Sequence, residues 1–160
     1  MFGFFKSPPF HDPTLGQLVR SRGLWRGSLT VGASVSASPL ALSGTRTEPD
    51  AQALAAAREV AQAFASWRPA IEQALFEHYE PYAEAVTAGE LSSPAEALPR
   101  IAAPGAVWSH VSLVFVSVTP LSGLLTTELG YTTAWDDEHT LGARFQSGKF
   151  IELCGSVLRP

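Results

Sequence analysis

Trp135-Asp136-Asp137-Glu138-His139-Thr140-Leu141-Gly142, running on through Phe145 to Cys154, is the densest cluster of polar side chains in the chain. Its flanks decide the fold. Upstream, Leu125, Leu129 and Tyr131 alternate with Thr126, Glu128 and Thr132. Downstream, Leu141, Ala143 and Phe145 continue to Ser147-Gly148, and Phe150 to Leu153 follows. A period of two on both sides is the pattern of strands, so the cluster marks a hairpin corner and Ser147-Gly148 a tight turn. Before these, Val111 to Val118 is apolar in both parities and reads as a central strand covered on both faces, ending at the Pro120-Leu121-Ser122-Gly123 turn. The C-terminal third is therefore a four-strand meander.

A second strand-rich block lies at the other end. Pro8, Pro9 and Pro13 make residues 1–13 a flexible arm. Leu15 and Leu18-Val19 form a short strand, and Arg22-Gly23 a turn. From Leu24, Trp25, Leu29 and Val31 share one side while Arg26, Ser28 and Thr30 take the other. Gly32-Ala33 turns the chain back into Val35 to Leu42, and Gly44 closes this meander.

Between the blocks the period changes. Thr47-Glu48-Pro49-Asp50 resembles a capping box with proline in the first turn, ahead of an alanine-rich helix former. Leu54, Ala57, Ala61, Phe64 and Trp67 make its apolar stripe. Pro69 is expected to stop or restart the helix. Ile71, Leu75, His78 or Tyr79, and Tyr82 line a second helix, which Pro81 kinks or ends and Gly89 stops. Ser93-Pro94-Ala95-Glu96 starts a further helical turn, and residues 99–105 form a loop. Strands, helices, then strands in separate blocks predict an α+β fold: a largely antiparallel sheet with helices packed on one face. The expected organisation is an arm over 1–13 and a single α+β domain over 14–160.

Composition excludes several classes. With 160 residues, 46% apolar and 16% charged, the chain is globular, and no apolar run approaches the roughly 20 residues of a membrane span. The N-terminal charge, Lys6, follows the apolar residues instead of preceding them, unlike a secretory signal. Together with the single Cys154, this predicts a cytoplasmic protein. Residues 1–46 hold five basic residues against Asp12 alone, a charge of +4; the rest holds six against fourteen acidic, a charge of −8. An acidic body argues against nucleic acid as a partner. Arg20, Arg22 and Arg26 around Trp25 are too few for strong phosphate binding, and read as cover for a core tryptophan or as partners of helix glutamates.

The familiar catalytic motifs are absent: no phosphate-binding glycine loop, no G-x-S-x-G, no H-E-x-x-H and no cysteine pair. That leans against an enzyme and implies no cofactor. The candidate binding residues are Trp135, Asp136, Asp137, Glu138 and His139. Three readings stand for them. Asp136 and Asp137 hold a turn through side chain to backbone bonds, with Glu138 and His139 pinning the hairpin. Alternatively the cluster is an exposed binding surface. Alternatively it binds a divalent ion, where strand alternation would let only Asp137 with His139, or Asp136 with Glu138, share the metal. Cys154 lies in an apolar strand and reads as a packed small hydrophobe, not a nucleophile. His78-Tyr79-Glu80-Pro81-Tyr82 is a candidate pocket wall, although aromatic residues at helical spacing are usually core.

The motif W-D-D-E-H-T-L-G resembles the C-terminal ending of a group of uncharacterised bacterial proteins with W-D-x-E-H-x-L-G. Asp12-Pro13-Thr14-Leu15-Gly16 and Gly23-Leu24-Trp25-Arg26-Gly27 are similar to their D-P-x-[LF]-G and G-x-W-x-G patterns. The resemblance implies an α+β domain of unknown function, immunity-like in some members, and carries no catalytic residue. The expectation that follows is a non-catalytic protein-binding domain with an acidic surface and a basic protein partner. The alternative is a metal-binding domain or metal-assisted hydrolase centred on Asp136–His139. Nothing in the pattern sets an oligomeric state.

Overall fold

Residues 6–90 and 98–160 are described by the structure, a computed structural model. Eight strands form one sheet in chain order: β1 (Phe10–Asp12), β2 (Gly16–Ser21), β3 (Leu24–Leu29), β4 (Ser38–Leu42), β5 (Val111–Leu121), β6 (Leu124–Thr133), β7 (Leu141–Gln146) and β8 (Lys149–Cys154). All neighbours are antiparallel except β4 and β5, which run parallel through Leu40–Leu42 and Val116–Val118. A parallel pair needs a crossover. The chain supplies it as α1 (Ala51–Thr87) and a 3-10 helix (Pro104–His110), which return across one face of the sheet. The α+β expectation holds, with both meanders present and joined at this one parallel pair.

The tight x-Gly turns fall where the sequence placed them, although Pro120 and Leu121 still belong to β5 and β4 begins at Ser38 instead of Val35. Ser147 and Gly148 both have positive φ, 50° and 73°, which the tight hairpin turn matching strand twist requires. Arg22-Gly23 and Ser122-Gly123 repeat the same pair of signs. The double apolar parity of β5 also has a physical cause. The register shifts between Leu113 and Phe115, so Val116 and Val118 face the core while Phe115 lies against Gly130 on the other face. That outer face also carries Arg144 between Glu128 and Glu152, and the C-terminal tail, whose Val157 crosses Gly142.

Several expectations are corrected. The two predicted helices are one helix of 37 residues, with Pro69 and Pro81 inside it. Each proline removes a helical hydrogen bond. Both sit on the exposed side, as do Ala65 and Glu77, whose carbonyls lose their partners there and can turn to water. The core anchors on either side, Trp67 and Ile71, then Leu75 and Tyr79, outweigh the roughly 3 kcal/mol that a helical proline costs. The buried stripe runs Leu54, Ala57, Val60, Trp67, Ile71, Leu75 and Tyr79, and Ala61 is exposed instead of sharing it. The start is Asp50, which accepts from the Gln52 N–H at 2.9 Å. Thr47 and Pro49 belong to the preceding turn, closed by the Gly44–Pro49 bridge.

The arm assigned to residues 1–13 contains β1, paired Phe10 to Leu18 and Asp12 to Gly16. Phe10 packs edge-on against Trp25 (6.3 Å between rings), and this anchors a segment that its prolines had marked as loose. The loop expected over 99–105 ends at Ala103, because Pro104 and Gly105 open the 3-10 helix, and the predicted turn at Ser93–Glu96 lies outside the described residues. Finally, β8 is not an apolar buried strand. Ile151 is 51% exposed, and Cys154 is half-buried with its thiol donating to the Ser156 carbonyl at 3.4 Å. Among the described residues no helix is long and apolar enough to cross a membrane.

Candidate functional site

The corner begins where β6 ends at Thr133. Thr133 Oγ1 accepts from the Asp136 N–H at 3.2 Å and approaches the Asp136 carbonyl at 3.4 Å, closing the backbone into a loop. Asp136 then turns inward. Its Oδ1 accepts from the N–H groups of Glu138 and His139, both at 3.2 Å, which is the local bonding that makes aspartate favourable in turns. The His139 ring closes the same carboxylate through Nδ1, at 3.0 and 3.1 Å from the two oxygens. From α1, the Tyr82 hydroxyl donates to Oδ2 at 2.9 Å.

Beside it, Trp135 is buried and its indole N–H donates to Nδ1 of His78, one turn before Tyr82 on α1, at 3.1 Å. An acceptor Nδ1 places the His78 proton on Nε2 when the ring is neutral. Burial favours that neutral form and lowers the His78 pKa, outweighing the pull of the Asp136 charge. Asp136 moves the same way for other reasons. Burial raises its pKa, but the hydrogen bonds from His139 and Tyr82 outweigh burial and leave it below the ordinary carboxylate value. Tyr82 is raised, first by burial and then by donating to Asp136.

The rest of the motif is structural as well. Leu141 is fully buried. A Cβ on Gly142 would meet Val157 at 2.7 Å and the Glu128 carboxylate at 3.0 Å, so glycine there lets the tail pass. The Thr140 carbonyl accepts from the Val157 N–H at 2.8 Å.

Of the five candidate residues, Trp135 and Asp136 are buried, while Asp137, Glu138 and His139 are exposed. Asp136 and His139 meet, whereas strand alternation had paired Asp137 with His139 or Asp136 with Glu138. A turn, not an extended chain, sets the geometry. Among the described residues no group of three or more His, Cys, Asp and Glu side chains is arranged to hold a metal ion. Both Asp136 oxygens already accept hydrogen bonds, which a metal would have to displace. An Asp–His pair is also the orienting half of a hydrolytic triad. Here the described residues bring no hydroxyl or thiol into hydrogen-bond contact with His139.

Sequence reasoning missed the α1 half of the corner. His78 and Tyr82 were read as a pocket wall or core, and they are the groups that tie Trp135 and Asp136 to the helix. Tyr79 is core, and its hydroxyl donates to the Pro99 carbonyl at 2.7 Å. Trp25 is buried as expected, but among the described residues the arginines around it do not pair with helix glutamates. Arg20 and Trp25 both donate to the Thr45 carbonyl, and Arg26 donates to the carbonyls of Ser21 and Pro160.

These features define a class: an α+β domain whose W-D-D-E-H corner is a side-chain clamp between sheet and helix. The chain belongs to the family described as Domain of unknown function (DUF6985), whose model matches residues 25–157. That span includes the whole corner but leaves out Asp12–Gly16. No curated protein matches the chain, and no solved structure does.

Proposed function

We propose that this chain is a non-catalytic protein-binding domain, acting in the bacterial cytoplasm as an immunity-like protein that occludes a basic partner. One observation carries the reading. The Tyr82–Asp136 bond sets the corner against the second half of α1, and both segments lack basic residues. Residues 69–99 contain no Lys or Arg, and neither do residues 121–143. Glu77, Glu80, Glu84, Asp137 and Glu138 are all exposed. Carboxylates without interspersed cations steer a basic surface toward this end of the molecule and repel acidic ones, and screening by salt weakens the attraction. The clamp supports the same reading, because Asp136 and Trp135 are engaged in holding the corner and leave its rim to make contacts.

The test is affinity capture with the purified domain at low and high salt, beside a variant carrying Glu80→Gln, Glu84→Gln, Asp137→Asn and Glu138→Gln. A basic protein retained at low salt, released by salt and lost in the variant is the expected outcome. A partner held equally by the neutralised variant would sink the reading.

A further inference from the structure

A sizeable cleft lies away from the corner. It holds about 700 Å³ and opens between the β3–β4 loop, α1 and the first half of β5. Topology creates it. β4 pairs with β5 only at Val116–Val118, so on that side the Val111–Val114 stretch has no strand beside it. The inner wall is aromatic: Phe64, Trp108 and Tyr131 stand edge to face, with ring centres 5.8 and 6.1 Å apart. The rim is cationic, from Arg68 of α1 and Arg159 of the tail, and among the described residues no carboxylate lines the cleft itself, the nearby Glu72 being bonded to Arg68 and Trp108.

Two further details point to a ligand. Tyr131 is 1% exposed, yet its hydroxyl has no hydrogen-bond partner among the described residues. The hydroxyl lies buried behind the cleft wall that its residue helps to line, an unused hydrogen-bonding group next to the space. Arg68 is also held in place. Its guanidinium lies 5.1 Å from the Trp108 ring centre and uses Nε on Glu72 at 2.7 Å. Glu72 in turn accepts from the Trp108 indole N–H. The terminal nitrogens of Arg68 make no hydrogen bond among the described residues, so they can still receive a bidentate anion.

We propose that this cleft binds a small amphipathic organic anion. Its carboxylate, sulfonate or phosphate sits between Arg68 and Arg159. Its apolar body lies on Phe64, Trp108 and Leu113, and a small shift of this wall on binding brings a polar atom to the buried Tyr131 hydroxyl. The volume falls in the range of small-molecule pockets, and so does the pattern of mostly apolar walls with a few convergent polar groups. The site is separate from the acidic end and does not depend on the protein-binding reading.

The probe pair is anilinonaphthalene sulfonate and its uncharged parent, phenylnaphthylamine, titrated by fluorescence and calorimetry against the folded protein. The sulfonate is expected to bind saturably at one site. The double variant Arg68→Gln, Arg159→Gln should weaken it by about tenfold, the effect of one lost charge-assisted hydrogen bond, and leave the parent unchanged. Both arginines lie at the rim, so this variant retains the fold. Tyr131→Phe keeps the packing and should leave the unliganded melting temperature unchanged or higher, while reducing the rise in melting temperature that the sulfonate produces. Equal affinity for charged and uncharged probes, or sulfonate binding indifferent to both variants, would overturn the proposal.

Discussion

The two ends of α1 are fastened to the sheet by the same device built from different partners. At the N-terminal end, Asp12 accepts from the Thr14 and Leu15 N–H groups at 2.9 and 2.8 Å, and from Arg58 through Nε at 2.9 Å and the adjacent amino group. At the C-terminal end, Asp136 accepts from Glu138, His139 and Tyr82. Each is a buried aspartate that first folds its own turn and then grips the helix across it. The difference lies in what grips back. Arg58 is a fixed cation, and its hydrogen bond is the main reason that the Asp12 pKa lies below the ordinary value, against the opposing effect of burial. Tyr82 is neutral, and the corner adds two imidazoles instead. The first clamp is thus an ion pair indifferent to pH until the carboxylate itself titrates. The second is a hydrogen-bond network with His78 buried beside it. The two resembling motifs, D-P-T-L-G and W-D-D-E-H-T-L-G, are these two clamps.

The largest effect is expected from Asp12→Ala, which strands two turn N–H groups, one of them buried. Losing them costs about 3 kcal/mol, or roughly 8 °C in melting temperature for a chain of this size. Asp136→Ala should cost about 2 kcal/mol by the same reasoning. The sharper comparison is by asparagine. In Asp12→Asn the amide oxygen can still accept from the turn N–H groups but the N–H₂ faces the donors of Arg58, so a larger share of the alanine penalty should remain than at Asp136. In Asp136→Asn the amide can donate to the Tyr82 oxygen, so most of it should vanish. Thermal melts of the four variants decide this, and equal asparagine penalties would break the distinction drawn here.

The next effect is in pH. The folded pKa of Asp12 and of Asp136 is lowered, so each contributes stability that is present above the ordinary value near 3.8 and lost as pH falls through the folded value. His78 is also lowered, from 6.5, so its contribution is full above pH 6.5 and declines below it, well before the carboxylates respond. Melting temperature should therefore begin to fall as pH drops below 6.5, and His78→Gln, which can still accept from Trp135, should flatten that limb. An unchanged slope in the variant would remove His78 from the account. The smallest effects are expected from Tyr82→Phe and His139→Ala, each about 1 kcal/mol or a few degrees, because each removes one set of bonds and leaves the turn N–H groups satisfied.

Much of this was legible along the chain. Period two around Trp135–Gly142 gave the C-terminal meander, the x-Gly pairs gave its turns, and Asp136 in a hairpin corner was readable as a turn holder. These are local properties, decided by alternation and backbone sterics within a few residues. The corner's partners were not legible, because Tyr82 lies 54 residues from Asp136 and Arg58 lies 46 from Asp12. No spacing rule reaches that far. The prolines misled for the same reason. A helix break is a local expectation, while the packing of Trp67, Ile71, Leu75 and Tyr79 that carries α1 through Pro69 and Pro81 exists only once the sheet is in place. The cleft likewise takes residues from the β3–β4 loop, α1, the 3-10 helix, β5, β6 and the tail. The sequence by itself determined the strands after β1, the tight x-Gly turns and the acidic balance, since these depend on neighbours in the chain. Tertiary structure alone decided the unbroken helix, the parallel β4–β5 join, the two clamps and the cleft, since each depends on groups that only folding brings within a hydrogen bond's length.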